Sequence, residues 1–316
     1  MQFRTQIPIS QSNHLIDYNV KMVSLGSCFA ENMSAKLDYY QFQNYCNPFG
    51  IIFNPSSIEK LIDRITTKKY YTEKDIFFYN EHWHCFELHS QFSNPNKELF
   101  LISINGLIDV TRQKIEQASQ IIITYGTAWI YRSRESMEIV ANCHKVPQKE
   151  FDKELLSVAL IQESITNTIE LIRSINPSAS FIFTISPVRH IKDGFVQNQL
   201  SKSHLFSALH DVLQKKNDGV SYFPSYEIMM DELRDYRFYT EDMLHPNQVA
   251  IDYIWERFVD TAISAHSKET MIEIDSIQKS LQHRSFNPSS DSHQKFEIKL
   301  QAKIAKMVSQ YSFMKF

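Results

Sequence analysis

The chain has few of the residues that keep a polypeptide unfolded. Its 316 residues include only 6 glycines and 10 prolines, and 43% are hydrophobic. That balance excludes a low-complexity or disordered chain and leaves enough apolar side chain for one large or two small cores. Charge of one sign is also lacking: a formal net charge of −3 offers no field to draw nucleic acid. There are four cysteines, Cys28, Cys46, Cys85 and Cys143, none paired at a metal-ligand spacing. In a chain this long they are expected to be free thiols in a reducing compartment. No run approaches the roughly 20 apolar residues of a membrane helix, and the segment Met1 to Ile9 lacks the apolar centre of a secretion signal. The expectation is a soluble cytoplasmic globular protein with no nucleic-acid or membrane partner.

What is present centres on Lys21 to Asn32. An apolar run, Met22 to Leu25, meets Gly26, then Ser27 and Cys28, then a segment with helical character to Tyr39. This predicts a strand, a tight turn and a helix start. Ser27 suits the N-cap, and the helix N-terminus presents free N–H groups and partial positive charge. A thiol at that point is expected to have a lowered pKa. Gly26-Ser27-Cys28-Phe29-Ala30 also spells the motif of the GSCFA family, which resembles a branch of the SGNH/GDSL hydrolase superfamily. The resemblance implies a three-layer α/β/α domain of flavodoxin-like type with a mainly parallel sheet, over about 1–260; the remainder, 261–316, reads from its residues as a helical extension.

The same resemblance gives roles to later blocks. The loop from Asn47 through Gly50 to Pro55 corresponds to the second motif block, where the superfamily has a glycine oxyanion donor; Asn47 and Gly50 are the candidates. Ile121 to Thr124 is a buried-strand run leading into Gly126, Thr127 and Ala128. There the superfamily reads glycine, any residue, asparagine, and Ala128 stands where the asparagine would donate to the oxyanion. Asn142, His144 and Lys145 resemble a second motif of the GSCFA family; Asn142 is the candidate to replace the lost amide, and His144 and Lys145 to hold an anionic group. After a further strand, Phe181 to Ile185, the loop carries Arg189 and His190, again candidate anion binders at the carboxyl end of a strand.

Thr240 to Asn247 contains Asp242 and His245, three apart and followed by a proline. A D-x-x-H block supplies the superfamily with its general base and orienting carboxylate. The carboxylate holds the imidazole tautomer, and the imidazole takes the proton of the nucleophile. If Gly26 aligns with the superfamily glycine without a gap, the nucleophile is Cys28; if serine aligns with serine, it is Ser27. The gap-free alignment favours Cys28, and a thiolate is a good nucleophile near neutral pH.

The remaining expectations are structural. A helix from Ser56 to Ile65 starts at a serine cap, and a hairpin turns at Asn80-Glu81. A segment from Pro95 to Glu116 is helical but interrupted near Asn105-Gly106, and a hairpin flanks Arg132-Ser133-Arg134. One long amphipathic helix covers Lys149 to Ile175, and another covers Asn198 to Lys215, with Ser201-Lys202-Ser203 as a minor candidate for the crevice. The tail is helical with a break from His283 to Pro288, and is expected to pack over the domain, cap the crevice or mediate self-association. The function expected is a hydrolase or acyltransferase acting on a small-molecule or carbohydrate-linked acyl substrate, without cofactor or metal. The alternative is a non-catalytic binding protein that keeps the crevice.

Overall fold

A computed structural model describes residues 5–215, 218–283, 286–287 and 289–316. Its first half contains β1 (Lys21–Gly26), α1 (Cys28–Tyr39), β2 (Gln43–Cys46), α2 (Pro55–Thr67), β3 (Phe77–Tyr79), β4 (His82–His84), α3 (Lys97–Gln117) and β5 (Gln120–Tyr125). Then come β6 (Trp129–Ser133), β7 (Ile139–Val140), β8 (Phe151–Leu155), α4 (Val158–Ile175), β9 (Ser180–Ile185), α5 (Phe195–Lys215) and β10 (Val220–Tyr222). The chain closes with α6 (Ser225–Glu227), which continues as a wide helical turn to Glu232, then α7 (Gln248–Ala262), α8 (Ala265–Gln282) and α9 (Asp291–Gln310).

Five strands pair in parallel in the order β10-β9-β5-β1-β2. Taken alone these strands follow a 2-1-3-4-5 order, the flavodoxin-like arrangement, whose switch point falls between β1 and β5. Alternate residues of the sheet enter two cores. Val23, Leu25, Ile121, Ile123, Phe181 and Phe183 pack under α2 to α5, whereas Met22 and Ile182 pack with α1, α7, α8 and α9. The result is the three-layer α/β/α domain expected.

The C-terminal extension belongs to the second of these cores. Tyr311 tilts against Tyr18, which stacks on Phe42 at 4.3 Å, and Tyr39 donates to Asp275 at 2.9 Å. The Lys315 N–H donates to Gln41 Oε1 at 2.8 Å, so the tail ends beside Phe42 and Gln43, at the amino end of the sheet. The tail therefore packs over the domain and lies at the opposite edge from the crevice. Of the expected break from His283 to Pro288, Arg284, Ser285 and Pro288 lie outside the described residues. Among the described residues no helix is long and apolar enough to cross a membrane.

Three local expectations are corrected. The helix expected over Lys149 to Ile175 starts only at Val158, on a Ser157 cap. Residues Phe151–Leu155 instead pair antiparallel with β6, where Glu154 meets Arg132 at 2.8 Å and Asp152 meets Arg134 at 2.7 Å. Cross-strand charge pairs outweigh the helical spacing of the leucines. α3 runs unbroken through Gly106, because the Asn105 side chain clamps Tyr71 through its backbone N–H (2.7 Å) and C=O (2.9 Å). α2 is capped by Asn54, with Pro55 in the first helical turn, and not by Ser56.

Candidate active site

The turn between β1 and α1 is built by close approach. Gly26 sits at φ +134°, and a Cβ there would lie 2.2 Å from the Thr124 carbonyl oxygen of the neighbouring strand. Only glycine tolerates both conditions. We expect Gly26→Ala to lower stability by about 2–4 kcal/mol, read as a drop in the urea midpoint. An unchanged midpoint would mean that the turn relaxes freely. Asn47 supports the same turn: its buried Oδ1 accepts the Gly26 N–H at 2.8 Å, and its Nδ2 donates to Glu31 at 3.4 Å.

Ser27 and Cys28 have different surroundings. Ser27 is 1% exposed, and its Oγ caps α1 by accepting the Phe29 N–H at 3.3 Å. Cys28 is the first residue of the helix and is partly exposed. Its thiol is shifted up from the ordinary value, against the expectation from the helix terminus. Burial is the main cause and the Glu31 carboxylate adds to it. The N–H groups of Phe29 and Cys28 and the cation of Lys202 pull the other way. Desolvation of the thiolate outweighs the end of a single helix.

Lys202, a minor candidate in the sequence, is fully buried. Its Nζ donates to Gly126 O at 2.7 Å and Ser186 O at 2.8 Å, joining the carboxyl ends of β5 and β9. Burial brings its pKa down to about 7, with Cys28 as the opposing influence. Beside it lies His190: a Cβ on Gly126 would come within 3.1 Å of His190 Nε2. Among the described residues that buried nitrogen has no hydrogen-bond partner, the ring stacks on Phe53 at 5.1 Å, and the His190 N–H is held by Asn198 Oδ1 at 2.9 Å. Burial first, then Lys202 and His245, push its pKa down to about 3. Lys202 and His190 thus meet at Gly126, at the carboxyl edge of the sheet, where the charge of Lys202 acts on Cys28 and that of His245 on His190.

His245 and Asp242 form the expected pair. Asp242 Oδ2 lies 2.5 Å from His245 Nδ1, and both side chains are about half exposed, at 45% and 46%. Asp242 Oδ1 accepts the N–H groups of Leu244 (2.8 Å) and His245 (3.0 Å) and the Thr240 hydroxyl (2.7 Å). These bonds hold the carboxyl well below the usual carboxylate range, the His245 N–H and imidazole being the largest influences. The loop is closed by Thr240 N–H to His245 O at 2.8 Å and by pairing of Tyr239 with Pro246, and Asn247 caps α7 just after it.

Several candidates meet a different fate. The Gly50 N–H, expected at the oxyanion, is already given to Asn47 O at 2.8 Å, and His89 packs where a Gly50 Cβ would lie. His144, expected to hold an anion, is buried. Its Nε2 bonds to Cys85 O at 2.7 Å, and burial takes its pKa down to about 4, so it is neutral at pH 7. His190 is neutral for the same reason and cannot serve as a cation. Asn142 turns its Oδ1 to the His144 N–H at 2.8 Å, within its own loop, and Lys145 is exposed. Thr127 bonds Ser201 Oγ at 2.9 Å, and that hydroxyl also accepts the Ala128 N–H at 2.7 Å. Ala128 is thus anchored from α5 by its backbone. Arg189 lines a cleft of about 430 Å³ with Tyr236 and Tyr239, its Nη2 3.0 Å from Met230 Sδ.

Known proteins resemble this chain to different degrees. No curated protein matches it. Among solved structures, an acetyl xylan esterase (Est2A) from the rumen bacterium Butyrivibrio proteoclasticus shares 10% identity over 81% of this chain, with a TM-score of 0.40, and this chain spans 64% of its length. A carbohydrate esterase family 3 protein from Talaromyces cellulolyticus shares 9% identity over 81% of this chain and 99% of its own, with a TM-score of 0.36. Likenesses this distant bear on neither reaction nor substrate. A family model for a GSCFA C-terminal domain matches residues 274–316, covering the end of α8, α9 and the tail. The model of the GSCFA family itself matches residues 21–258, from β1 into α7, and the chain therefore belongs to the GSCFA family.

Proposed function

We propose that this protein is an SGNH-like hydrolase or acyltransferase that moves an acyl group through a thioester on Cys28. The proposal rests on a partly exposed thiol at a helix N-terminus and a preformed His245–Asp242 couple, with Lys202 and His190 as the groups that influence one and the other. In the proposed reaction Sγ attacks the acyl carbonyl, and a Sγ–C bond forms as the C–O bond to the leaving alcohol breaks. His245 Nε2 takes the thiol proton as Sγ attacks, gives that proton to the leaving oxygen, and then takes a proton from water or another acyl acceptor, whose attack breaks the Sγ–C bond and returns the proton to Sγ. Asp242 keeps the imidazole in the tautomer with its proton on Nδ1. The Cys28 N–H is the candidate oxyanion donor, because the Ser27 and Gly50 N–H groups are committed to Thr124 O and Asn47 O. The cleft of Arg189, Tyr236 and Tyr239 is the candidate seat for the alcohol portion of the substrate, an acylated small molecule or sugar.

A binding role without turnover is the second reading. Ala128 in place of an amide donor and the upward-shifted thiol favour it. The two separate on incubation with p-nitrophenyl acetate followed by peptide mass spectrometry. Acetylation at Cys28 that disappears in His245→Ala supports acyl transfer; no acylation at any residue supports binding alone.

A further inference from the structure

We propose that Arg189 selects an anionic substrate: its guanidinium, in the cleft beside the His245 loop, takes a carboxylate or phosphate group carried by the alcohol portion of the ester. This deepens the proposed function, since it names the substrate class of that same site. Two loops bound the cleft. One follows β9 and carries Arg189 and His190; the other carries Tyr236 and Tyr239 and runs directly into the His245–Asp242 pair. Tyr239 is bridged to Pro246, and the Thr240 N–H donates to His245 O at 2.8 Å. Asn247 Nδ2 donates to Arg237 O at 2.7 Å and to Tyr239 O at 3.3 Å. The tyrosine wall of the cleft and the His245–Asp242 turn are therefore one braced piece of backbone, which holds a molecule seated in the cleft in fixed relation to the imidazole.

The ion pairs of the cleft single out Arg189. Arg234 Nη2 lies 3.1 Å from Asp231 Oδ1. Asp235 Oδ1 accepts the Arg237 N–H at 2.9 Å, and its Oδ2 lies 3.8 Å from Arg237 Nε. Arg189 is partly buried and has no carboxylate within ion-pair distance among the described residues; its Nη2 meets Met230 Sδ at 3.0 Å. The Tyr239 hydroxyl is directed at the same sulfur, at 4.0 Å, so the two polar heads converge. A thioether is a weak acceptor, and it engages one of the five N–H donors of a guanidinium. A structural arginine in this same fold looks different: Arg64 closes on Glu87 at 2.7 Å and on Asp75 at 3.1 Å. An oxyanion on the open fork of Arg189 gains charge-assisted bonds roughly twice as strong as neutral ones. The flexible Met230 side chain can give way to it, and the Tyr239 hydroxyl supplies a further donor. The rings of Tyr236 and Tyr239, 5.7 Å apart and tilted by 48°, offer their faces to the rest of the ligand. The cleft volume of about 430 Å³ falls among small-molecule sites of about 300–1,000 Å³.

The test reads binding without chemistry on an ester, so it stands apart from any test of turnover. Phenylglyoxal modification of Arg189 in the native protein is followed by peptide mass spectrometry, alone and with sodium glucuronate, glucose 6-phosphate or glucose at equal concentration, the ionic strength being held with sodium chloride. Arg134, paired with Asp152 beyond β6, is the internal control. At least one of the two anions is expected to slow modification of Arg189 by about threefold or more, with no effect from glucose. The better protector tells a carboxylate from a phosphate. Protection by neither anion, equal protection by glucose, or equal slowing at Arg134 would overturn the proposal. In Arg189→Gln, binding of the protecting anion is expected to weaken about tenfold or more by ligand-observed NMR titration, with Arg189→Lys in between. Unchanged affinity in a folded Arg189→Gln would also overturn it. Anion protection of Arg189 in a protein that is acylated at no residue would leave this inference standing and defeat the acyl-transfer reading; acylation at Cys28 without anion protection would do the reverse.

Discussion

Replacing Cys28 by alanine is expected to reduce turnover of an activated acetyl ester by at least about 10³-fold, the scale on which loss of a nucleophile is felt. Ser27→Ala is expected to behave quite differently. Ser27 is 1% exposed and its oxygen caps α1, so its loss costs about 1 kcal/mol of stability and leaves turnover within a few-fold of the native rate. The contrast follows from access: Cys28 is partly exposed, and the Ser27 hydroxyl is buried and occupied in holding the helix. Initial rates on p-nitrophenyl acetate, with urea midpoints for both variants, check the pair. Activity lost only in Ser27→Ala would move the nucleophile one residue back and put the thiol in a supporting place.

The second large effect is on stability in mild acid. His144 and His190 are held neutral, at about 4 and about 3 against an ordinary 6.5. Both folded values are depressed, so between pH 6.5 and about 4 the unfolded chain binds protons that the folded chain refuses. Stability is then retained above 6.5 and lost as the pH falls below it. At pH 5 each histidine should cost about 2 kcal/mol, about 4 kcal/mol together. The urea midpoint is expected to drop accordingly between pH 7 and pH 5. His144→Gln, which keeps a donor for the Cys85 carbonyl, should remove about half of the drop. Equal midpoints at the two pH values would mean that both rings accept a proton in place.

Much of the scaffold could be read in the chain. Ile121 to Thr124 and Phe181 to Ile185 are continuous apolar runs, and only a strand covered on both faces asks for them. The Asp242–His245 block was equally legible, because its geometry is local: one carboxylate accepting two N–H groups and a hydroxyl of its own loop, and meeting a ring three residues on. What failed was anything decided by a distant partner. Phe151–Leu155 leads into a helix with apolar residues at helical spacing, but its charges are matched to Arg132 on β6 and to Arg134 just beyond it, a pairing that sequence periodicity does not see. His144 has the composition of a solvated loop, and the β3–β4 hairpin buries it. Gly50 resembles an oxyanion donor until its N–H is followed to Asn47.

Lys202 shows the same limit most clearly. The sequence makes Ser201-Lys202-Ser203 no more than a minor candidate for the crevice, and no local pattern foretells that the lysine is fully buried. Order along the chain was enough for the sheet, the turn before Cys28 and the His245–Asp242 pair, since strand burial, the φ of Gly26 and a three-residue loop are written in neighbouring residues. The state of charge around Cys28 was left to the fold. It depends on how far Lys202, His190 and Glu31 are withdrawn from water, and desolvation is a property of what surrounds a group in space, not of what flanks it in sequence.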